Sequence, residues 1–141
     1  MCANSGQEDN GYGVRFLLGR VSDAYLQRVA IQRGYAVVVW RGPPHVVEPT
    51  QLPEGEASAY WADVLDAAKA IEDHFQPVKM NYQTLGNALP HLHTHVIPRY
   101  LDDPSPGMPL PFPAPGDDPG VLPEDELQAA IHDLSRFVQP S

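Results

Sequence analysis

Three histidines stand at alternate positions near the middle of the chain, in the stretch PHLHTHVIPRY at residues 90–100. Side chains of a β-strand alternate between its two faces, so an extended stretch directs His91, His93 and His95 to one side. A rise of about 3.3 Å per residue separates neighbouring members of such a row by roughly 7 Å at the backbone. Two imidazoles can then engage one tetrahedral group, and neutral imidazole is a nucleophile near neutral pH. The spacing predicts covalent catalysis at phosphorus.

Two other interpretations of the histidine row remain open. One is a three-histidine metal site, because one strand face can contribute several imidazole ligands, although no carboxylate or cysteine lies within the stretch. The other is a row of histidines without a role. Strict alternation, framed by Pro90 and Pro98 and preceded by a Gly-Asn turn, favours a chemical role.

Hydrogen-bond donors flank the row and favour a phosphate ligand. Asn81 and Asn87 carry amide donors, and Gly86 allows a close approach of the backbone. Arg99 adds a planar guanidinium just past the last histidine. Donors placed where negative charge builds up are what a displacement at phosphorus requires.

The composition is that of one globular domain and limits the possible partners. The chain has 141 residues, 43% of them hydrophobic, and a net charge of −9. Acidic character argues against a nucleic-acid partner, whose phosphates require a basic surface, but allows a small phosphorylated ligand. No apolar run approaches the roughly 20 residues that cross a bilayer, and no secretory signal is evident. Together with a single cysteine, Cys2, this predicts a cytoplasmic protein without a membrane partner.

The elements around the row predict an α+β fold. Residues 1–12 are polar, as in a flexible N-terminal arm, and residues 13–141 are expected to form one domain. Runs rich in β-branched and aromatic residues predict five strands, at residues 14–18, 25–31, 35–40, 78–85 and 91–97. The turn signal Gln32-Arg33-Gly34 predicts an antiparallel hairpin between the second and third.

A long helix is predicted between the third and fourth strands. Pro53 suits its first position, and Pro77 forces it to stop at or before Gln76. Asp63 is expected to lie off the apolar stripe, whose members are Trp61, Val64, Leu65, Ala68, Ile71 and Phe75.

The C-terminal part of the chain predicts a loop followed by a helix. Residues 101–123 carry eight prolines from Pro104 to Pro123, too many for a sheet ladder or a helix. Residues 124–138 place Leu127, Leu134 and Val138 on one face of a terminal helix. The prediction is therefore an antiparallel sheet of about five strands, with one long helix before the histidine strand and a C-terminal helix.

The segment LGNALPHLHTHVIPRY resembles the signature of the histidine triad (HIT) superfamily, three alternating histidines separated and followed by apolar residues. His91, His93 and His95 match its three histidines. Leu92, Val96 and Ile97 match its apolar positions, and Thr94 fills the one apolar position that is not matched. The resemblance implies an antiparallel α+β fold over about residues 14–100. It also implies a hydrolase or nucleotidyl transferase that needs no metal or cofactor. Its substrate would be a purine nucleotide conjugate, such as a dinucleoside polyphosphate or a phosphoramidate, attacked at the α-phosphate.

The resemblance implies roles for single residues. His93 would be the nucleophile that forms a nucleotidyl-histidine, later discharged by water. His95 would contact the phosphate and help the leaving group depart, and His91 would order the row by hydrogen bonding. Asn81 would lie near the ribose and phosphate, and Asn87 would donate to the phosphate.

Two positions depart from the family pattern. Many members carry Ser or Thr three residues before the first histidine, where this chain has Ala88. This departure leaves the leaving group open and keeps a weakly catalytic nucleotide-binding or sensing module as an alternative. Some members carry a histidine after the glycine of the first hairpin, where this chain has Tyr35. His45, just after Pro-Pro, is then the candidate for a fourth histidine.

The resemblance further implies a homodimer whose sheets continue across a two-fold axis. An apolar strand such as residues 35–40 would need a cover of this kind if it lay at the edge of the sheet.

Overall fold

The computed structural model describes residues 6–137. The chain forms one five-stranded antiparallel sheet with the strand order β1-β2-β3-β5-β4, the α+β arrangement that the sequence predicts. The strands are β1 (Gly13–Leu18), β2 (Ser22–Gln27), β3 (Ala36–Trp40), β4 (Lys79–Gln83) and β5 (His93–Arg99). Helix α1 (Glu56–Phe75) connects β3 to β4, a short 3-10 turn (Pro49–Gln51) precedes it, and helix α2 (Glu124–Phe137) follows β5.

The alternation of side chains divides the core between the two faces of the sheet. The larger apolar cluster lies between the sheet and the two helices, and it includes Leu92 and Val96. A smaller cluster on the opposite face contains Tyr25, Tyr35, Val37, Val39, Ile97 and Leu110. The register of β3 with β5 pairs Val39 with His93 and Val37 with His95, which places both histidines on this second face.

Helix α1 begins later than expected and buries a different stripe. Gly55, with a φ of 86°, precedes it, so the helix starts at Glu56 rather than at Pro53. Trp61 and Leu65 were expected to be buried but are 40% and 61% exposed. Alanines and a tyrosine form much of the buried face instead, which consists of Tyr60, Asp63, Val64, Ala67, Ala68, Ala70 and Ile71.

Asp63 is buried although the helical pattern placed it off the apolar stripe. Its carboxylate accepts hydrogen bonds from the backbone N–H groups of Arg20, Val21 and Ser22 and from the Ser22 hydroxyl. The Arg20 guanidinium donates to it at 2.9 Å. A buried charge that is fully hydrogen-bonded avoids most of the desolvation cost, so Asp63 fastens the β1–β2 turn to the helix.

Strands β2 and β5 differ most from their expected bounds: β2 begins at Ser22 instead of residue 25, and β5 begins at His93 instead of residue 91. Strand β2 ends at Gln27 because residues 28–31 pair with the proline-rich loop instead. The Ala30 N–H donates to the Gly120 carbonyl, and the Leu122 N–H donates to the Arg28 carbonyl. Strand β5 extends through Pro98, which pairs with Met80 of β4 beyond the point where β3 pairing ends. Strand β3 lies in the middle of the sheet, between β2 and β5, so it needs no such cover; β1 and β4 are the edges.

The described part of the N-terminal segment packs along β1 and β2. The Tyr25 hydroxyl donates to the Gln7 carbonyl at 2.6 Å, and Arg15 N–H donates to the Glu8 carbonyl at 2.8 Å. Residues 1–5 and Val138 of the predicted terminal helix lie outside the described residues. Between residues 6 and 137, neither helix has the length and apolar character required to cross a membrane.

Candidate active site

The structure brings four histidines together at the start of β5. His93 and His95 share one face of the strand, with ring centroids 5.0 Å apart and the rings edge to face. His91 lies just before the strand, and its ring centroid is 5.5 Å from that of His45. The extended chain still runs beside β3 here, because Trp40 N–H donates to the Leu92 carbonyl. The predicted fourth histidine therefore joins the row through His91.

Hydrogen bonds to carbonyl groups fix the protons of the first two histidines. His91 Nε2 lies 2.6 Å from the Trp40 carbonyl oxygen, and His93 Nδ1 lies 2.6 Å from the His91 carbonyl oxygen. A carbonyl oxygen only accepts, so the protons are assigned to His91 Nε2 and His93 Nδ1. The lone pair of a neutral His93 is then on Nε2, the nitrogen that makes no hydrogen bond to residues 6–137.

His95 is held by aromatic side chains instead of carbonyl groups. Its Nδ1 lies 2.6 Å from the Tyr35 hydroxyl, and the two rings stack with centroids 5.9 Å apart. Phe112 of the proline-rich loop covers it from another side, at 5.3 Å between ring centroids. Burial lowers the pKa of His95 to about 4, with a smaller contribution from His93, so His95 is neutral at neutral pH. Burial likewise raises the pKa of Tyr35.

Arg99 lies on the same face of β5 but is fully occupied by the protein. Its Nε and Nη2 donate to the two carboxylate oxygens of Asp103, at 2.6 and 2.8 Å. Its Nη1 donates to Asn81 Oδ1 and to the Met108 carbonyl, both at 2.8 Å, and Nη2 donates to the Ser105 carbonyl at 2.9 Å. All five N–H donors are used, so Arg99 has none left for a phosphate. The geometry does not support the substrate contact expected of Arg99; the side chain instead ties the loop after β5 to the sheet.

Asn81 is oriented by this arginine. It pairs with Ile97 across the β4–β5 ladder, on the histidine face, and its Oδ1 accepts from Arg99. That contact identifies Oδ1 and leaves the Nδ2 amide as the donor for a ligand. Asn81, Gln83 and Arg99 line an open cavity of about 690 Å³ between β4 and the loop after β5. None of the three triad histidines lines it, so the cavity adjoins the histidine row without containing it.

The loop from β4 to β5 holds the remaining predicted residues. Gly86 has a φ of 77°, a backbone conformation that favours glycine. Asn87 is exposed, and its side chain makes no hydrogen bond within residues 6–137. The structure therefore places Asn87 next to solvent, where its expected contact with phosphate stays a prediction.

Three neighbours of His95 were not predicted as site residues. Tyr35 stood out in the sequence only as a departure from the family pattern. Gln83 pairs with His95 across the ladder, and its Oε1 is buried without a hydrogen-bond partner among the described residues. Gln83 lies two residues after Asn81 on β4, and side chains two residues apart on a strand share a face. This spacing was the signal that could have identified Gln83. Phe112 had no local signal, because the proline-rich loop brings it back to the strand from a distance.

A metal site at the row would need several ligand atoms converging on one point. Within residues 6–137 there is no group of three or more His, Cys, Asp or Glu side chains arranged to hold a metal ion. Among the described residues, His91 Nε2 and His93 Nδ1 are directed at carbonyl groups, and His95 Nδ1 is directed at a phenol. This arrangement does not support the three-histidine metal interpretation.

Comparison with known proteins points to the family whose signature the histidine row resembles. The family model of the HIT domain matches residues 21–102, more than half of the chain. The chain belongs to the HIT family. Membership of this family supports a nucleotide-binding or hydrolase type of activity in general.

Individual HIT relatives are distant in sequence but close in fold. The protein named Protein hit of Bacillus subtilis (strain 168) is 28% identical over 82 residues, 55% of each chain, so the match spans about half of that protein. A crystal structure of a histidine triad protein from Marinobacter aquaeolei VT8 is 25% identical, with a TM-score of 0.74 over 92% of this chain and 91% of that one. A histidine triad protein from Bradyrhizobium japonicum is 23% identical, with a TM-score of 0.74 over 91% and 92%.

Proposed function

We propose that this HIT protein cleaves a purine nucleotide conjugate at its α-phosphate through a nucleotidyl-histidine on His93. The observation that carries the proposal is the hydrogen bond from His93 Nδ1 to the His91 carbonyl. It directs the lone pair of the neutral ring to Nε2, the nucleophilic form of imidazole. The same carbonyl stabilises the ring once it becomes positively charged.

The reaction balances in two steps. The Nε2 lone pair of His93 forms a bond to the α-phosphorus, and the bond from phosphorus to the leaving group breaks with its electron pair on the leaving atom. A phosphate leaves as an anion, whereas the nitrogen of a phosphoramidate takes up a proton from solvent as it leaves. The phosphorylated ring keeps its proton on Nδ1. Water then attacks the phosphorus, the P–N bond breaks with its electrons returning to Nε2, and one water proton goes to solvent. The products are the nucleoside monophosphate and the leaving group; a different acceptor in place of water makes the reaction a nucleotidyl transfer.

The other residues of the site are assigned to binding. The Nδ2 amide of Asn81, which Arg99 orients, donates to the ribose or the phosphate. Gly86 and Asn87 supply donors from the β4–β5 loop, where the positive φ of the glycine turns the backbone. His45 supports the position of His91 through its ring contact. The substrate class is a dinucleoside polyphosphate or a nucleoside phosphoramidate.

The test combines product release with detection of the intermediate. The purified protein is incubated with diadenosine polyphosphate or adenosine phosphoramidate, AMP is quantified, and a quenched sample is analysed by mass spectrometry for an adenylyl group on His93. We expect AMP and the modified His93 in the wild type and neither in His93→Ala. The matched control is His132→Ala, because His132 is an exposed histidine on α2. Full turnover by His93→Ala would reject His93 as the nucleophile.

A second candidate function is a nucleotide-binding or sensing module with little turnover. It is favoured by Ala88, which provides no hydroxyl in the exposed loop before the histidines. This candidate predicts that AMP binds in a calorimeter while no modified His93 accumulates with any of the conjugates. Detection of the intermediate at a rate that matches turnover would dismiss it.

We also propose that two copies pair through the free edge of β4. The strand has no partner on that side within the described chain, and apolar side chains lie exposed beside it, at Val78, Tyr82, Leu101 and Met108. Pairing would cover both the backbone edge and this apolar surface. Light scattering after gel filtration should give twice the monomer mass, and Tyr82→Asp should shift it to the monomer. A monomeric wild type at high concentration would reject this assembly.

A further inference from the structure

Tyr35 makes a contact that the proposed mechanism does not yet use. It lies just before β3 and is only 6% exposed. Its hydroxyl is 2.6 Å from His95 Nδ1, and it has no other hydrogen-bond partner within residues 6–137. The planes of the two rings are 20° apart.

This contact determines where the His95 proton lies. A buried phenolic O–H needs an acceptor, and the only one within reach among the described residues is the lone pair of His95 Nδ1. A neutral imidazole with an acceptor at Nδ1 carries its proton on Nε2. The reverse arrangement, with Nδ1–H donating to the phenol oxygen, would leave the Tyr35 proton buried without a partner, at a cost. His93 and His95 therefore hold opposite tautomers, although they lie two residues apart on one strand.

We propose that Tyr35 is a positioning residue that locks His95 as the Nε2–H tautomer, so that His95 donates a hydrogen bond to a phosphoryl oxygen while His93 attacks. The role of His95 in catalysis rests on the proposed function, whereas the tautomer itself does not. A neutral imidazole can act in this way as a fixed hydrogen-bond donor to a developing negative charge.

The tautomer also limits what His95 can do for the leaving group. Loss of the Nε2 proton from a neutral ring would produce an imidazolate, which is far too basic to be formed at neutral pH. Protonation of the ring first would place a proton on Nδ1 and remove the acceptor of Tyr35. The titratable groups that face His95 are Tyr35 and His93, and the other neighbours are Phe112 and Gln83. None of these is an anion that would stabilise an imidazolium.

The first test measures the tautomer without any substrate. Long-range proton–nitrogen NMR correlation spectra of the imidazole rings are recorded near pH 7 on wild type, Tyr35→Phe and Phe112→Leu. We expect the wild type to show His95 protonated on Nε2 with an unprotonated Nδ1. Tyr35→Phe should show averaged shifts from both tautomers. Phe112→Leu alters the packing of the same ring without touching a hydrogen bond, and should keep the wild-type pattern.

A proton on Nδ1 of His95 in the wild type, or an unchanged spectrum in Tyr35→Phe, would overturn the proposal. Both readouts are independent of turnover, so they stand even if the proposed reaction is wrong.

The second test asks whether the tautomer matters for catalysis. With a substrate that the wild type turns over, Tyr35→Phe should lower kcat by roughly tenfold, about the value of one hydrogen bond, with little change in KM. Circular dichroism confirms that the variant is folded. A higher KM with unchanged kcat would assign Tyr35 to binding and reject the positioning role.

Discussion

The two ends of β5 carry polar side chains on the same face, but they use them in opposite ways. At the start of the strand, His93 and His95 each keep Nε2 free of hydrogen bonds to the described part of the protein. At the end of the strand, Arg99 donates all five of its N–H groups to Asp103, Asn81 and two loop carbonyls. We call the start of the strand the open end, because each ring there keeps one nitrogen without a hydrogen bond to the described residues. We call the end at Arg99 the closed end, because no donor is left unused. Along this one strand, the side chains that keep a hydrogen-bonding atom unused are the candidates for catalysis. The side chain whose donors are all used holds the fold together.

The largest expected effect concerns the open end. His93→Ala should lower kcat/KM for AMP release by about a thousandfold or more, because no other group supplies the attacking lone pair. The loss of stability should be moderate, because the buried ring leaves a small cavity and gives up one hydrogen bond to a carbonyl. Initial rates and thermal unfolding of the same preparations measure the two effects. A variant that loses stability in proportion to activity would show that the start of β5 is structural as well.

The closed end should respond in the opposite sense. Arg99→Leu leaves the Asp103 carboxylate buried without its counter-charge, which typically costs about 3–5 kcal/mol in free energy of unfolding. Replacing both residues, as Arg99→Leu with Asp103→Leu, removes the buried charge and should recover part of this loss. Urea unfolding curves of the single and double variants measure the difference. Equal losses in both would mean that the loop carbonyls, and not the ion pair, hold this end together.

Leaving-group preference tests whether the open nitrogen of His95 is a hydrogen-bond donor only. A phosphoanhydride leaves as a stable anion, whereas the amine of a phosphoramidate requires a proton that neutral His95 does not supply. We therefore expect kcat/KM to be at least about tenfold higher for an adenosine polyphosphate conjugate than for an adenosine phosphoramidate with a simple amine. Steady-state rates at neutral pH give the ratio. A preference for the phosphoramidate would place a proton donor at the site and would contradict a neutral His95.

The sequence could predict the sheet because its signals are local. Alternation and β-branched residues located all five strands, although β2 only over residues 25–27, and the spacing of the histidines indicated the candidate site. What could not be predicted depends on partners distant along the chain. Asp63 is polar within an apolar stripe, and only its contacts with the β1–β2 turn explain its burial. The β2 boundary likewise depends on the pairing of residue 30 with residue 120.

The functional assignment of Arg99 shows the same limit. Its residue type and position made it a reasonable phosphate ligand, and only the five acceptors around it revealed that its donors are used. A sequence indicates which residues could do chemistry, whereas the hydrogen-bond inventory of the fold indicates which of them are free to do it.

Acidification should weaken the two ends of β5 in separate pH ranges. Burial lowers the pKa of His95 to about 4 from a usual value of 6.5, and it also lowers the pKa of His91. Between these pH values the unfolded chain therefore binds more protons than the folded protein does. Stability should therefore fall as the pH decreases from about 6.5 towards 4. Below about pH 4 a second loss begins, because hydrogen bonds from Arg99 hold the pKa of Asp103 well below its usual value of 3.8. The folded protein keeps this carboxylate ionised, while the unfolded chain takes up the proton.

Urea unfolding at closely spaced pH values from 7 to 3 resolves the two ranges. His95→Gln should flatten the upper range and leave the lower one, and Asp103→Asn should do the reverse after allowance for its lower overall stability. The upper slope is the smallest of the expected effects, since His95 is only partly buried and solvent screens its charge. If His95→Gln leaves the slope above pH 4 unchanged, the acid sensitivity comes from His91 and from groups elsewhere in the chain, and the imidazole beside Tyr35 accepts a proton as readily in the folded protein as in the unfolded one.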